Sequence, residues 1–283
     1  MSAPVSGGVT VVIATRDRRV DLAYSLTKHE PPVILVDNGS TDGTPEMVRE
    51  RFPHVRVVEL NENQGAVARN VGVSLAQTPF VAFADDDSWW APGALDIAAD
   101  QFDRHPRLGL LAAQMRVGAS ERLDPICLDM DSSPLGRCDD LPGPNVLGFL
   151  ACGAVVRRTA FLEAGGFDEV IFFAGEEERL ALDLASSGWG LAYVDKVIAH
   201  HYPSVTRHPY RREVRSARNR ILTTLMRRPW PVVARTTLAA ARSGAAGREG
   251  VRQAVLRAPM ALSRRRRVPT RIEVARRLLD RSA

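Results

Sequence analysis

Short apolar runs alternate with amphipathic segments through the first third of the chain. Val9 to Ala14 (VTVVIA), Val33 to Val36, Val55 to Leu60 and Phe80 to Ala84 are rich in β-branched or aromatic residues, and their length suits buried strands. Between them, Arg18 to Thr27, Thr44 to Arg51 and Ala66 to Ala76 read as helices. Pro31-Pro32 stops the first, Thr44 offers an N-cap to the second, and Pro45 suits its first helical position. This alternation predicts a parallel sheet with right-handed crossovers and helices on its faces. Further on, Glu176 to Ser186 reads as a helix and Leu191 to Val197 as a strand returning to the sheet.

Polar residues crowd the ends of the predicted strands: Thr15-Arg16-Asp17, Asp37-Asn38-Gly39-Ser40, Asn61 to Gly65, and Asp85-Asp86-Asp87. Open α/β sheets bind ligands at the carboxyl ends of their strands, so the four clusters are expected on one rim, where a nucleotide would sit. Asp37 suits a base imide or a ribose hydroxyl, with Thr15 and Arg16 lining the same pocket. Gly65 allows close approach to a phosphate ahead of a helix N-terminus, and Arg69 lies one turn in, where its guanidinium can fork onto diphosphate oxygens. Singly, these are also an ordinary turn, a loop glycine and a surface arginine. Three adjacent acids at a buried strand end repel one another and lose hydration, a cost that a hard divalent ion such as Mg2+ or Mn2+ offsets. The alternative is an acidic turn in water, ahead of a helix started by Pro92.

At 283 residues, 45% apolar and 25% charged, the chain is long enough for one large α/β domain or a domain plus an extension. Cys127, Cys138 and Cys152 have neither metal-ligand nor redox-motif spacing and read as reduced thiols of a cytoplasmic protein. The start, MSAPVSGGVTVV, lacks signal-peptide character, and the uncharged stretch from Leu141 to Val156 is too short to span a bilayer. A cytoplasmic protein is expected, at most peripheral on the inner membrane face.

Charge divides the chain unevenly. From Arg207 onward, 21 Arg and no Lys face four acids, a net +17, so the first 206 residues carry −12 of the overall +5. A catalytic unit over 1–206 and an Arg-rich helical extension over 207–283 are therefore expected. The extension mixes apolar and Arg positions in WPVVARTTLAAARSG (230–244) and VRQAVLRAPMAL (251–262), as helices lying on an anionic membrane surface do. The alternative is a solvated face packed back on the acidic unit. Nucleic acid is a poor fit, because Trp230 is the only aromatic after Tyr210.

The stretches VVIATRDR (11–18), VILVDNGSTDGT (33–44), NENQGAVARNVG (61–72) and FADDDSWWAPGAL (83–95) resemble the family 2 glycosyltransferases of the GT-A fold. So do GAVVRRTAFLEAGGFDE (153–169), FFAGEEERLALDLASSGW (172–189) and AHHYPS (199–204), in the same order. The resemblance spans about residues 9 to 205 and implies a UDP-, GDP- or dTDP-sugar donor. It places Thr15, Arg16 and Asp37 at the nucleotide, Gly65 and Arg69 near the diphosphate, and Asp85 and Asp87 as the ends of a DxD metal motif. Asp86 would face the ribose or donor sugar. Glu176-Glu177 matches the family's Glu-Asp pair, whose second member is the base, with Glu178 a further candidate. One of His200 and His201 would complete the metal shell, since adjacent strand residues face opposite sides. Gly165 to Glu169 looks like an acceptor-side loop, and Trp89 or Trp90 would stack on a sugar or pack in the core.

The implied reaction is a single displacement with inversion onto an acceptor hydroxyl of a glycan or lipid-linked polysaccharide precursor. All the implied catalytic groups precede residue 205, so truncation after Arg228 is expected to spare the site. Two other functions fit the same pocket: a nucleotidyltransferase, which needs no acceptor base, and a catalytically silent nucleotide-sugar-binding protein.

Overall fold

The computed structural model describes residues 8–30, 32–203 and 209–282. The expected boundary at 206/207, Pro31, Ser204 and the first seven residues of the presumed non-signal N-terminus lie outside the described residues.

The alternating first half folds as a chain of parallel crossovers: β1 (Val9–Thr15), α1 (Arg19–Ser25), β2 (Val33–Asp37), α2 (Thr44–Arg51), β3 (Val55–Glu59), α3 (Ala68–Leu75) and β4 (Phe80–Ala84). There follow β5 (Ser88–Trp90), α4 (Ala94–Arg104), β6 (Leu108–Val117), β7 (Arg122–Leu123), α5 (Pro125–Asp131), β8 (Ala154–Arg157), α6 (Arg158–Glu163), α7 (Glu176–Ser186) and β9 (Gly190–His201). Four helices close the chain: α8 (Pro209–Arg227), α9 (Trp230–Arg242), α10 (Ala245–Ser263) and α11 (Thr270–Ser282).

The strands make one sheet in the order β3-β2-β1-β4-β8-β6-β9-β5, with β7 on β6. The parallel pattern holds through β4; beyond it β8 runs antiparallel between β4 and β6, while β6 and β9 are parallel. Two registers position the site. Thr15 pairs with Asp37, so those strand ends open side by side. Ser88 pairs with His201, which brings the residue after the acidic triplet against the end of β9. Phe83, Phe161, Ile13, Leu35, Leu110 and Leu111 are fully buried around the sheet.

Several local expectations change. Gly43, at φ 78°, caps α2 in the left-handed region, and Thr44 is its first helical residue, with its hydroxyl on Asp42. Pro92 does not start a helix. Ser88 to Trp90 extends as β5, and α4 begins at Ala94 behind Gly93 (φ 74°), because pairing with β9 takes up the chain after the triplet. The Leu191 strand continues to His201. Trp89 and Trp90 are both buried.

The closing helices pack on the sheet domain through their arginines. Arg227 forks onto Asp183 at 2.5 and 3.1 Å, Arg264 meets Asp168 at 2.9 Å, and Arg276 meets Glu178 at 3.0 Å. Under them, Val170 and Ile171 share an apolar cluster with Ile221, Leu222, Leu225, Met226, Ala254 and Ala261. Truncation after Arg228 would take Ala254 and Ala261 from this cluster, Arg264 from Asp168 and Arg276 from Glu178, while Ile221, Leu222, Leu225 and Met226 stay on Val170 and Ile171. The outer faces of α9 and α10 expose Leu238, Val255 and Leu256. Among the described residues no helix is long and apolar enough to cross a membrane.

Candidate active site

The carboxyl ends of β1, β2, β3 and β4 bring the four polar clusters to one rim, where Asn38 donates to Gly65 O at 3.0 Å and accepts from the Gln64 amide at 2.9 Å. Asp37 is buried at the end of β2, and its Oδ2 accepts from the Ser40 amide at 2.9 Å. Its Oδ1 is buried with no hydrogen-bond partner among the described residues. An orphaned carboxylate oxygen is costly to bury, and a ligand donor offsets that cost. Arg16 is exposed and turns back on Asp17. Thr15 is buried and donates to Asp86 Oδ2 at 3.2 Å.

The three adjacent aspartates splay apart. Asp85 accepts from Arg69 Nη2 at 2.5 Å, Asp86 accepts from Arg18 Nε at 3.3 Å, and Asp87 Oδ1 lies 3.4 Å from His201 Nε2. Arg18 Nη2 also lies 4.0 Å from Asp87. Splaying gives each carboxylate its own cation or imidazole, which limits repulsion within the triplet. Burial, with Asp85 and Asp87 on either side, still pushes the Asp86 carboxyl up to about 7.

Arg69 joins the triplet to the glutamate pair. It is almost fully buried, and its Nη1 lies 3.7 Å from Glu176 Oε1 while Nη2 holds Asp85. The guanidinium that the resemblance puts near a diphosphate lies between the side chains of Asp85 and Glu176. Glu176 is buried, and its Oε2 has no partner among the described residues. Burial first, then the neighbouring Glu177, raises its carboxyl to about 8. Glu177 is also raised by desolvation, with the Ala151 amide and Arg69 pulling the other way. Glu178 instead pairs with Arg276 of α11, so the third acid of the run ties the tail to α7. The acids start α7 where the helix dipole favours them, but Glu176 is not on an exposed turn.

Gly65 serves a different contact from the one expected. At φ 62°, a Cβ there would stand 2.3 Å from the Phe172 carbonyl oxygen, which accepts from the Ala66 amide at 2.6 Å. The bare face of Gly65 lies against the loop ahead of α7, where any side chain would collide with Phe172. Asn70 grips the same loop, donating to Phe167 O and accepting from Phe167 N, both at 2.9 Å. Arg179 donates to Gly166 O at 2.6 Å. Asp168, caught between Arg179 and Arg264, is a clamp for this loop.

The histidines separate. His201 faces Asp87, whereas His200 Nδ1 lies 2.8 Å from Glu121 Oε2 and its ring stacks on Trp89 at 5.5 Å. Among the described residues no three His, Cys, Asp or Glu side chains stand together as a ready metal cage. One carboxylate and one imidazole, Asp87 and His201, nevertheless fit a Mn2+ whose other positions go to phosphate oxygens and water. Asp85 keeps Oδ1 on Arg69, which leaves its Oδ2 as the oxygen for a metal.

Arg18, Asn70 and Glu121 were assigned no role by sequence reasoning. Arg18 and Asn70 stand inside the motif-bearing stretches 11–18 and 61–72, which was the available signal. Glu121 carried none, since its partner lies on β9.

Fold and site together define a GT-A glycosyltransferase. Residues 11–165 match the model of glycosyl transferase family 2, and the chain belongs to that family. It is 31% identical over 223 residues to an N-acetylglucosaminyl-diphospho-decaprenol L-rhamnosyltransferase of Mycobacterium tuberculosis, a match covering 66% of this chain and 72% of the relative. It is 30% identical over 209 residues to a pre-mycofactocin glycosyltransferase of the same species, covering 71% of this chain and 44% of that one. Among solved structures, S. aureus TarS 1–349 superposes with a TM-score of 0.60 at 17% identity, over 94% of this chain and 82% of that one. The mannosyltransferase PcManGT from Pyrobaculum calidifontis, in complex with GDP-Man and Mn2+, superposes with a TM-score of 0.58 at 20% identity, over 99% and 77%.

Proposed function

We propose that this glycosyltransferase moves a sugar, with inversion, from a nucleotide-diphospho-sugar to the hydroxyl of a lipid-linked glycan precursor, using a divalent metal ion. The observation that carries the reading is the Arg69 bridge, which draws Asp85 of the acidic triplet and Glu176 of the glutamate pair to one guanidinium. Donor-binding acids and an acceptor base thereby face one cleft.

Asp37, with its unpartnered Oδ1, holds the nucleoside, Thr15 helps to fix Asp86, and Asp87 with His201 holds the metal, Mn2+ or Mg2+. The bound ion acts as a Lewis acid on the diphosphate leaving group. Glu177 takes the proton of the acceptor hydroxyl, and its raised affinity for protons brings it nearer the range where a general base works well at neutral pH. Arg69 keeps Glu176 and Asp85 in place around that base. The Arg-rich helices over 207–283 form the membrane-facing unit, whose positive charge brings the catalytic unit to an anionic surface at the cytoplasmic face. The relative named for a diphospho-decaprenol substrate supports a lipid-linked acceptor.

Incubation with UDP-, GDP- and dTDP-sugars and Mn2+, with and without a lipid-linked acceptor, tests the reading. Release of nucleoside diphosphate and a product of inverted anomeric configuration are expected. Release of pyrophosphate would make it a nucleotidyltransferase, and binding without turnover of any donor a silent binding protein.

A further inference from the structure

A cavity of about 830 Å³ lies among α8, α9 and α11, lined by residues that the sugar-transfer site does not use. Six of its lining residues are arginines. Three of these are already engaged: Arg228 with Glu273 and Asp280, Arg276 with Glu178 and Asp280, and Arg277 with Glu273. The others, Arg220, Arg235 and Arg281, are exposed and have no ion-pair partner among the described residues. The two carboxylates that line the cavity, Glu178 and Asp280, are thus taken up, and the lining keeps a surplus of positive charge. Guanidinium groups converging on a concave space suit a phosphate, which accepts forked, charge-assisted hydrogen bonds.

The rest of the lining is apolar or small, with Pro231, Val232 and Ala239 on the α9 side. On the outer faces of α9 and α10, Leu238, Val255 and Leu256 are exposed, with Val255 and Leu256 each more than 60% accessible. A ligand with a phosphate head and a hydrocarbon tail uses both the guanidinium groups and the apolar part of the lining.

We infer that this cavity binds the phosphate head of a membrane lipid, with Pro231, Val232 and Ala239 beside the apolar part of the lipid. The inference rests on the proposed membrane-facing role of the C-terminal helices and assigns their contact to one cavity rather than to diffuse charge. Glu178, paired with Arg276, lines the cavity and directly follows Glu177 in sequence, so lipid engagement sets down next to the helix that carries the candidate base.

The test is co-sedimentation of the full chain with three vesicle types: neutral phosphatidylcholine, the same lipid with phosphatidic acid, and the same lipid with phosphatidylglycerol matched in surface charge. Binding about tenfold tighter to the phosphatidic acid vesicles is expected, because a terminal phosphate presents more oxygens to the arginine forks than a phosphodiester does. The triple variant Arg220→Gln/Arg235→Gln/Arg281→Gln should lose that preference while keeping its thermal unfolding and its slow hydrolysis of nucleotide sugar. Replacing the three by Lys should keep binding to phosphatidylglycerol and lose most of the preference, since Lys keeps charge without the fork. Equal binding to both anionic vesicles, unchanged in the variants, would overturn the cavity assignment and leave the membrane-facing tail standing. Binding to none would overturn both. Inorganic phosphate that raises the unfolding temperature as much as a short-chain phosphatidic acid would make this a free-phosphate site and overturn the lipid assignment.

Discussion

Asp87 Oδ1 and His201 Nε2 stand 3.4 Å apart, brought together by the pairing of β5 with β9. His200 turns the other way, to Glu121 and the Trp89 ring. Chelation, Asp87→Ala or His201→Ala is therefore expected to abolish Mn2+-dependent binding of the nucleotide sugar, measured by titration calorimetry. His200→Ala should leave donor affinity unchanged. Equal losses in the two histidine variants would remove His201 from the metal.

Glu177→Gln is expected to keep donor binding and to lose at least ~10²-fold in transfer rate, the usual contribution of a positioned base. Single-turnover transfer with saturating donor measures it. Because burial raises the Glu177 carboxyl, the rate should fall with decreasing pH before the ordinary carboxylate range is reached. A rate near wild type would place the base at Glu176.

Stability should depend on pH through Glu176. Its folded pKa is raised, to about 8, so the native state holds this proton where the unfolded chain has released it. Stability is then full below the ordinary glutamate range and declines as pH rises toward 8, by on the order of 1 kcal/mol per pH unit inside that window. Glu176→Gln should flatten the decline. Denaturant midpoints taken across the window in both proteins check the sign; a steeper decline in the variant would contradict it.

Arg69→Met removes the guanidinium held between Asp85 and Glu176 and leaves the Asp85 carboxylate without its cation. Breaking a buried pair from one side costs about 3–5 kcal/mol. A matching fall in unfolding free energy is expected, with partial recovery in Arg69→Met/Asp85→Asn, where the orphaned carboxylate is gone as well. No recovery would mean that the two residues are not energetically coupled.

Gly65→Ala should cost more than an ordinary loop substitution. The new methyl would meet the Phe172 carbonyl at 2.3 Å, and the backbone sits at φ 62°. Strain of this kind costs about 1–3 kcal/mol, and the loop ahead of α7 has to move to relieve it. Faster proteolysis of that loop, beside a lowered unfolding temperature, is the expected signature.

The chain's local pattern determined β1 to β4, most of β9, the parallel half of the sheet and the rim on which Thr15, Asp37 and Asp85 to Asp87 lie. Each of these follows from short-range hydrophobic periodicity and from the rule that parallel strands open at one end. The start of α7 at Glu176 was legible for the same reason.

Only the tertiary structure decided how the charges divide. Sequence presents three equal aspartates, three equal glutamates and two equal histidines. Partners distant in the chain separate His201 from His200 and Asp87 from its neighbours, while Arg69 links Asp85 to Glu176 and Arg276 ties Glu178 to the tail. The tail followed the same logic. Its arginines could have been written for a membrane or for the protein's own acids, and packing gave Arg227, Arg264 and Arg276 to the acids while leaving Arg220, Arg235 and Arg281 outward. Coulombic and hydrogen-bond energies depend on separation in space, and chain order carries that only where a strand or a helix makes it local.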